Sequence, residues 1–416
     1  MPGQLRGLGT TAEEFRNHRA EFVEAMFRVA GAPVPWPADL FNPYPFVLSP
    51  AEVQNLMALG RAVHAGIHAV VRNFADDERI RARYALDPRL LAILDRARGM
   101  PYGIGMFRPD FVIDESGEFR VCEINARFSA NGYAINDIVD GALQAVTYLP
   151  HSLQRIDGMS KIHSTMTAAF RDGRPVAIVL RSESGSEIFM LLHGLDFHTI
   201  TPRSLTSDRD AHYVLELDRM ELLDLAPDVL DRIIRNGSRN DVRTLILVHD
   251  KRLLSVLSDP AIMRDYVDAA TARLLTHHII PTRPAAQALD DALANQDDWV
   301  IKPNSGGRGV DILIGGDTPR EVWESRLRDH AADDTLQRFV KQRRFPIVHL
   351  ADGELRETEM NVVGLLPCFE EHVFGPGIFR AGTGSVINVH QQRGEILPCM
   401  TWERGRPTRS RASTVA

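Results

Sequence analysis

The sequence predicts a mixed α/β (α+β) protein in which a layer of helices precedes an open parallel sheet. Two observations support this prediction. Within the first hundred of the 416 residues, apolar side chains recur at helical spacing, as in 11–31, where Thr11 and Glu14 form a capping box. Residues 175–248 then alternate short apolar runs with helical segments, and strands joined in this way form a parallel sheet.

The composition is that of an ordinary globular protein, with 44% hydrophobic and 25% charged residues and a net charge of -7. The acidic balance argues against a general nucleic-acid binder. No apolar run approaches the roughly 20 residues of a membrane span. Three distant cysteines and the lack of a signal-peptide pattern favour a reducing, cytoplasmic compartment. We therefore expect a cytoplasmic protein that acts on small molecules, with neither nucleic-acid nor membrane partners; homo-oligomerisation stays open.

The N-terminal hundred residues are expected to contain three helices and little chemistry. After the helix at 11–31, Ser49 caps a long helix that ends near Phe74, and a third helix covers roughly 88–98. Between the first two helices, residues 32–46 contain too many prolines for a helix or a sheet interior, so we expect an extended segment there.

A β-hairpin is expected next, formed by residues 107–113 and 119–125. Glu123 and Asn125 are two residues apart and therefore share a face, and the turn brings Asp110 level with Glu123. Carboxylate and amide oxygens suit Mg²⁺. The alternative is an exposed hairpin with charged ends. Adjacent carboxylates repel unless a cation lies among them, which favours the metal site.

The parallel sheet provides candidate substrate residues, because ligands bind at the carboxyl ends of such strands. Arg127, after the hairpin, could contact a phosphate or a carboxylate, and Ser129 is assigned to the same region. The loop after the first strand supplies Arg181, Ser182 and Glu183. The strands expected in this sheet are 175–180, 197–201, 213–217 and 244–248.

A glycine-rich turn follows the strand at 299–301 and leads into a second strand at 310–314. Glycines let backbone N–H groups approach an anion, and two basic side chains flank this turn. The pattern predicts a clamp for nucleotide phosphates, although a hairpin with a basic tip explains it equally well. It is neither a P-loop nor a dinucleotide motif, since no helix follows. The clamp residues are Lys302, Ser305, Gly306, Gly307, Arg308 and Gly309.

The ordered set of motifs resembles the ATP-grasp ligases, in the circularly permuted arrangement of the glutathionylspermidine synthase type. That family has an Arg-x-Asp strand followed by a Glu-x-Asn strand, matched here by Arg108-Pro-Asp110 and Glu123-Ile-Asn125. Its Lys-Pro before a glycine-rich flap is matched by Lys302. The resemblance covers about 105–130 and 245–390. It implies an ATP-grasp fold with a Rossmann-like (pre-ATP-grasp) parallel sheet.

The resemblance also implies what individual residues do. The hairpin oxygens of Asp110, Glu123 and Asn125 would hold Mg²⁺, and the glycine-rich turn would bind the phosphates of ATP. Catalytic cations would be Arg108, Lys251, which also contacts ATP, and Arg380. The adenine would lie along a hinge strand formed by Gln337, Arg338 and Val340.

The implied activity is that of an ADP-forming carboxylate–amine ligase with ATP and Mg²⁺ as cofactors. A small carboxylic acid would form an acyl phosphate, and an amine would then displace phosphate to give an amide. Two alternatives stay open: a small-molecule kinase on the same fold, and a non-catalytic ATP-binding protein. The expected regions are 1–100 (helical), 101–250 (metal hairpin and Rossmann-like substrate region), 251–402 (nucleotide-binding) and 403–416 (a disordered tail).

Overall fold

The computed structural model describes residues 2–8, 11–31, 34–128, 130–181, 185, 187–206, 211–306, 309–387 and 394–403, and the statements below refer to these residues. Their strands form four sheets, and the elements are numbered here in chain order. Among the helices described, none is long and apolar enough to cross a membrane.

The N-terminal helices begin and end as their sequence signals predict. Thr11 and Glu14 form a reciprocal capping box at the start of the first helix, which ends at Gly31 with a φ of +67°. Ser49 and Glu52 cap the second helix in the same way. The elements up to residue 154 are β1 (Gly3–Gln4), α1 (Ala12–Ala30), β2 (Phe46–Leu48), α2 (Pro50–Asn73), α3 (Glu78–Arg81), α4 (Pro88–Arg96), β3 (Met106–Ile113), β4 (Phe119–Asn125), α5 (Ala134–Ala145) and β5 (Leu153–Gln154).

A three-stranded parallel sheet forms the middle of the chain, as predicted, with strand order β7-β6-β8. The prediction of a fourth strand at 244–248 is wrong, because Thr244–Val248 forms a π-helical turn. All five of its residues are buried, and a short apolar run buried on every side fits a strand and a buried helical turn equally well. The elements here are α6 (Ile162–Thr167), β6 (Val176–Leu180), α7 (Glu187–Leu191), β7 (Phe197–Ile200), β8 (His212–Glu216) and α8 (Pro227–Asn236).

An antiparallel sheet with the order β11-β10-β12-β9 carries Lys302. Its core packs around the buried indoles of Trp299 and Trp323. The predicted strand 310–314 is shorter than expected and covers only its last two residues. The elements are α9 (Leu253–Leu257), α10 (Pro260–Tyr266), α11 (Ala269–His278), β9 (Thr282–Pro284), α12 (Leu289–Ala294), β10 (Trp299–Pro303), β11 (Leu313–Ile314), α13 (Arg320–His330) and β12 (Asp334–Arg338).

The largest sheet combines the hairpin β3–β4 with strands from the C-terminal third of the chain, in the order β16-β15-β3-β14-β17-β18. Strand β4 pairs with β3, and β13 pairs with β14. The strands added here are β13 (Phe345–Ala351), β14 (Glu354–Leu365), β15 (Cys368–Phe369), β16 (His372–Val373), β17 (Phe379–Gly382), β18 (Glu395–Leu397) and β19 (Cys399–Trp402). A fourth sheet, β1-β2-β19-β5, joins residues from both ends of the described chain.

Candidate active site

A cavity of about 960 Å³ lies between the large sheet and the antiparallel sheet that carries Lys302. Its floor is one face of the large sheet, with Asp110 and Glu123 from the hairpin and Arg380 from β17. Its size is at the upper end of the roughly 300–1,000 Å³ typical of small-molecule sites. The cavity therefore has room for more than one small ligand.

The hairpin has the register that the sequence predicts. Asp110 pairs with Glu123, and Arg108 pairs with Asn125. Alternation also predicts that Cys122 points into the core, and this prediction is wrong. The register shifts at Asp110/Phe111, a β-bulge that leaves Cys122 on the wall of the cavity. Burial raises the pKa of its thiol to about 11.

Asp110 binds two arginines at the centre of the floor. Arg108 donates from Nε and Nη2 to the two carboxylate oxygens, at 2.8 and 3.0 Å, and Arg380 donates from Nη2 at 2.8 Å. Burial disfavours the charge of Arg108, yet Asp110 holds its pKa above the ordinary value. Arg108 also donates to the carbonyl of Asn131 at 2.7 Å. The guanidinium of Arg108 is therefore fixed in charge and in orientation.

Glu123 is paired with Lys251, whose Nζ lies 3.3 Å from Oε1. Burial would raise the pKa of Glu123, but Lys251 and Lys302 together hold it below the ordinary value, so this carboxylate is ionised. The same Nζ donates to the carbonyl of Gly306 at 2.8 Å. Lys251 is not among the residues that line the cavity. It lies behind Glu123 and ties the hairpin to the start of the glycine-rich turn.

Lys302 connects the two sheets that enclose the cavity. Its Nζ donates to the carbonyl of Cys122 at 3.1 Å and to Oε1 of Gln337 at 2.7 Å. Gln337 in turn donates to the same carbonyl and to Thr282. Both side chains line the cavity. The lysine at the end of β10 therefore lies beside the hairpin, and its predicted binding to phosphate stays a prediction.

One end of the cavity is an apolar slot beside the hinge. Val300, Ile314, Phe339 and Val340 line it, and they belong to β10, β11 and the segment after β12. Arg338 also lines the cavity, and its guanidinium stacks 4.0 Å from the ring centroid of Trp299 and pairs with Asp298 at 2.9 Å.

The hairpin oxygens fit a divalent cation chemically. Glu123 is ionised, and the amide of Asn125 makes no hydrogen bond to any residue that the structure describes. Asp110 is level with Glu123 but shares its oxygens with two arginines. A carboxylate and an amide oxygen are ligands that Mg²⁺ accepts, together with phosphate oxygens and water. Glu123 and Asn125 are therefore the residues of the predicted set whose chemistry best fits such a cation, whereas both oxygens of Asp110 already accept hydrogen bonds from arginines.

The predicted substrate residues divide into two groups. Arg127 lines the cavity, where its guanidinium lies 4.4 Å from the ring of Phe128 and within 4.0 Å of Glu221. Arg181 does not line the cavity: it is exposed and pairs with Asp224 at 2.5 Å. In the predicted clamp, Gly306 and Gly309 line the cavity and Ser305 does not. The predicted residues Ser129, Ser182, Glu183, Gly307 and Arg308 lie outside the described part of the chain.

Sequence reasoning missed Glu187, which shapes the loop behind Arg108. Its carboxylate accepts the N–H groups of Gly132 at 2.8 Å and Ile135 at 3.0 Å, and so caps the first turn of α5 from a different helix. Burial raises the pKa of Glu187 to about 7. No pattern in the sequence marks this contact, because it joins residues 55 positions apart.

Comparisons with known proteins bear on the family and the fold of this chain. Residues 59–247 match the family described as the AnkG N-terminal domain. The ATP-grasp enzyme ankG of Aspergillus thermomutatus is 21% identical over 426 aligned positions, which cover 84% of this chain and 87% of that protein. A glutathione synthetase-like effector from Globodera pallida, solved in its apo form, has a similar fold with a TM-score of 0.58. It is 11% identical, and the match covers 94% of this chain and 98% of the effector.

Proposed function

Since the chain belongs to the ATP-grasp family and has the ATP-grasp fold, we propose that it is an ADP-forming carboxylate–amine ligase acting on small molecules. One observation carries the proposal. A compact group of charged side chains, Arg108, Asp110, Arg380 and Glu123, lies at the centre of a cavity between two sheets. An apolar slot for a base lies on one side of this group, and further space lies on the other.

In the proposed reaction, an oxygen of the acid attacks the γ-phosphorus of ATP, and the bond to the β,γ-bridging oxygen breaks to release ADP. The amine nitrogen then attacks the acyl phosphate, phosphate leaves, and the amine proton passes to solvent. Lys302 binds the phosphates, while Arg108 and Arg380 contact the oxygens on which negative charge accumulates. Mg²⁺ held by Glu123, Asn125 and Asp110 would neutralise phosphate charge. Catalysis then rests on positioning and on fixed charges.

The arginines are prepared for this task before any ligand binds. Asp110 fixes the plane of the Arg108 guanidinium through two hydrogen bonds and anchors Arg380 through one, so little reorganisation is needed when charge develops. Glu123 is kept ionised by Lys251 and Lys302, as a metal-binding carboxylate must be. A small-molecule kinase, the alternative, would use the same arginines and the same metal-binding carboxylate. It differs only in the acceptor, because a kinase stops once a hydroxyl has been phosphorylated.

Titration calorimetry of ATP with and without Mg²⁺ tests the nucleotide site. We expect wild type to bind ATP and a Glu123→Ala/Asn125→Ala double variant to lose the Mg²⁺-dependent part of the affinity. Glu118→Ala is the matched control, because Glu118 precedes the same strand but is half exposed and lies outside the cavity. Failure of wild type to bind ATP would overturn the proposed function.

Phosphate release then separates a ligase from a kinase and from a non-catalytic binder. A ligase releases phosphate continuously only when both an acid and an amine are supplied. A kinase releases ADP with a hydroxyl substrate and forms a stable phosphate ester. A protein that binds ATP and turns over with none of the three substrate classes would be a non-catalytic relative.

A further inference from the structure

An apolar patch lies on the cavity wall away from the base slot. It consists of Trp36 and Leu40 from the proline-rich segment, Ile135 from α5, Ile378 beside β17 and Ile396 from β18. All five belong to one hydrophobic cluster, in which Trp36 is a partly buried member at the edge. Leu40 and the three isoleucines are buried, so Trp36 is the member of this patch that keeps exposed apolar surface at the cavity wall.

Strand register places this patch directly beside the charged centre. Ile396 is the cross-strand partner of Arg380, and Leu365, from the same cluster, is the partner of Asp110. Lys302, by contrast, contacts the hairpin from the far side, at Cys122. A molecule with its reactive group between Arg380 and the nucleotide phosphates would therefore extend its other end onto the patch.

Arg380 also has an unused hydrogen-bond donor. Its Nη2 binds Asp110, while its Nε is buried and has no partner among the residues that the structure describes. Buried N–H groups in native proteins are nearly always satisfied, so this donor indicates a ligand acceptor. A carboxylate is the natural counterpart of a guanidinium edge.

We propose that the acid substrate carries an aromatic or similarly bulky apolar group, with its carboxylate at Arg380 and that group against Trp36 and the patch. This inference rests on the proposed ligase function and adds the class of the acid. A small or highly polar acid would leave the exposed part of the Trp36 indole facing water, which forfeits the favourable burial of apolar surface. The proline-rich segment, which brings Trp36 and Leu40 to the cavity, would then determine specificity.

The binding of two probe acids tests the proposed chemical class of the acid substrate. Calorimetry in the presence of Mg²⁺ and a non-hydrolysable ATP analogue compares 3-phenylpropionate with propionate, which share the carboxylate and differ in the ring. We expect 3-phenylpropionate to bind at least about 10-fold more tightly, since one methylene alone changes selectivity roughly 10- to 200-fold. Trp36→Ala should remove most of this preference.

Trp402→Ala is the matched control. Trp402 is a partly buried tryptophan packed against the same hydrophobic cluster, but it does not line the cavity. We expect this variant to keep the preference for the aromatic acid. Equal binding of the two acids by wild type would overturn the inference, and so would an unchanged preference in Trp36→Ala.

A second readout separates failure of this inference from failure of the ligase proposal. Hydroxylamine traps an acyl phosphate as a hydroxamate, so it reports activation of the acid without knowledge of the natural amine. Preferential binding together with hydroxamate formation supports both proposals. Preferential binding without hydroxamate from either acid overturns the ligase chemistry and leaves the apolar acid site in place. Hydroxamate formed equally well from both acids overturns the substrate class alone.

Discussion

Asp110 is the residue on which the geometry of the charged centre depends. Its side chain is almost fully buried, and its two oxygens accept three hydrogen bonds from Arg108 and Arg380. Two guanidinium groups this close would repel each other without a carboxylate between them. One acidic residue therefore holds two cations close together in a small volume.

Replacing Arg108 tests this arrangement at the level of one side chain. We expect Arg108→Gln to lower kcat by about 10²–10³-fold, the usual cost of losing one preorganised donor to a developing charge. Binding of ATP should change little, because Lys302 and the apolar slot remain. Arg120→Gln is the control, since Arg120 pairs with Asp114 on the same hairpin and does not line the cavity. Loss of ATP binding equal to the loss of kcat would contradict a catalytic role.

Lys302 should govern affinity for the nucleotide. We expect Lys302→Gln to weaken ATP binding at least about 10-fold, because a charge-assisted contact to phosphate is replaced by a neutral one. Lys341→Gln provides the comparison, as Lys341 lies close by in the chain but is exposed and pairs with Glu115. Titration calorimetry with ATP on both variants measures this effect. Equal affinities of the two variants for ATP would show that Lys302 does not bind the phosphates.

Among the secondary-structure elements, the loop between β4 and α5 determines where Arg108 points. Gly132 has a φ of +90°, and a Cβ added there would lie 2.6 Å from Nη1 of Arg108. Glu187, from α7, holds the loop in this conformation through the N–H groups of Gly132 and Ile135. The conformation of the loop thus depends on Gly132, which leaves room for the guanidinium of Arg108, and on Glu187, which accepts hydrogen bonds from the loop backbone.

Gly132→Ala should reduce turnover without removing nucleotide binding. The methyl group would displace the guanidinium of Arg108, and the positive φ adds backbone strain of about 1–2 kcal/mol. Gly173→Ala introduces the same kind of strain, since its φ is +87°, but nothing lies within 4 Å of the added Cβ. Steady-state kinetics alongside thermal unfolding separates the two effects. Equal losses of kcat in both variants would show that strain alone is responsible.

The elements also show which features the sequence could predict. The helix caps and the register of the hairpin depend on neighbours within a few residues, so Thr11, Ser49 and the Asp110–Glu123 pair were predictable. The bulge that turns Cys122 to the cavity changes the count between two strands and has no residue signature of its own. Lys251 is predicted to contact ATP, which stays a prediction, and its pairing with Glu123 is a long-range contact that no local pattern indicates.

Across the whole molecule, buried carboxylates join parts of the chain that are far apart. Glu395 in β18 accepts a hydrogen bond from Asn42 at 3.1 Å and pairs with Arg19 of α1 at 3.4 Å. These contacts connect the helical layer to the large sheet. The prediction of separate regions at 1–100 and 251–402 stays untested, while the strand order shows that the large sheet draws on residues 106–125 and 345–397.

Stability should therefore depend on pH through Glu395. Burial raises its pKa to about 7, whereas an unfolded glutamate titrates near about 4.3. Between these values the folded protein binds a proton that the unfolded chain has released, so the free energy of unfolding falls as the pH rises through this window. Between pH 5 and pH 8, urea unfolding should give a change in the free energy of unfolding that is more negative in wild type than in Glu395→Gln. The histidines whose pKa values burial lowers, such as His68 and His249, act in the opposite direction but do so equally in both proteins.

Glu357→Gln is the control for this measurement. Glu357 is half exposed and pairs with Arg6 at 3.5 Å, so we expect the same pH dependence as in wild type. Some slope will remain in Glu395→Gln, because Glu187 also titrates near pH 7. An unchanged difference between pH 5 and pH 8 in Glu395→Gln would contradict the assignment.

The 270 residues that separate Asp110 from Arg380 have a consequence for biosynthesis. While the ribosome is still making the second half of the chain, Arg108 and Asp110 have already emerged, but β14 and β17 do not yet exist to cover their strand. The hairpin must therefore wait with an open hydrogen-bonding edge, and the charged centre is completed only when Arg380 has been synthesised.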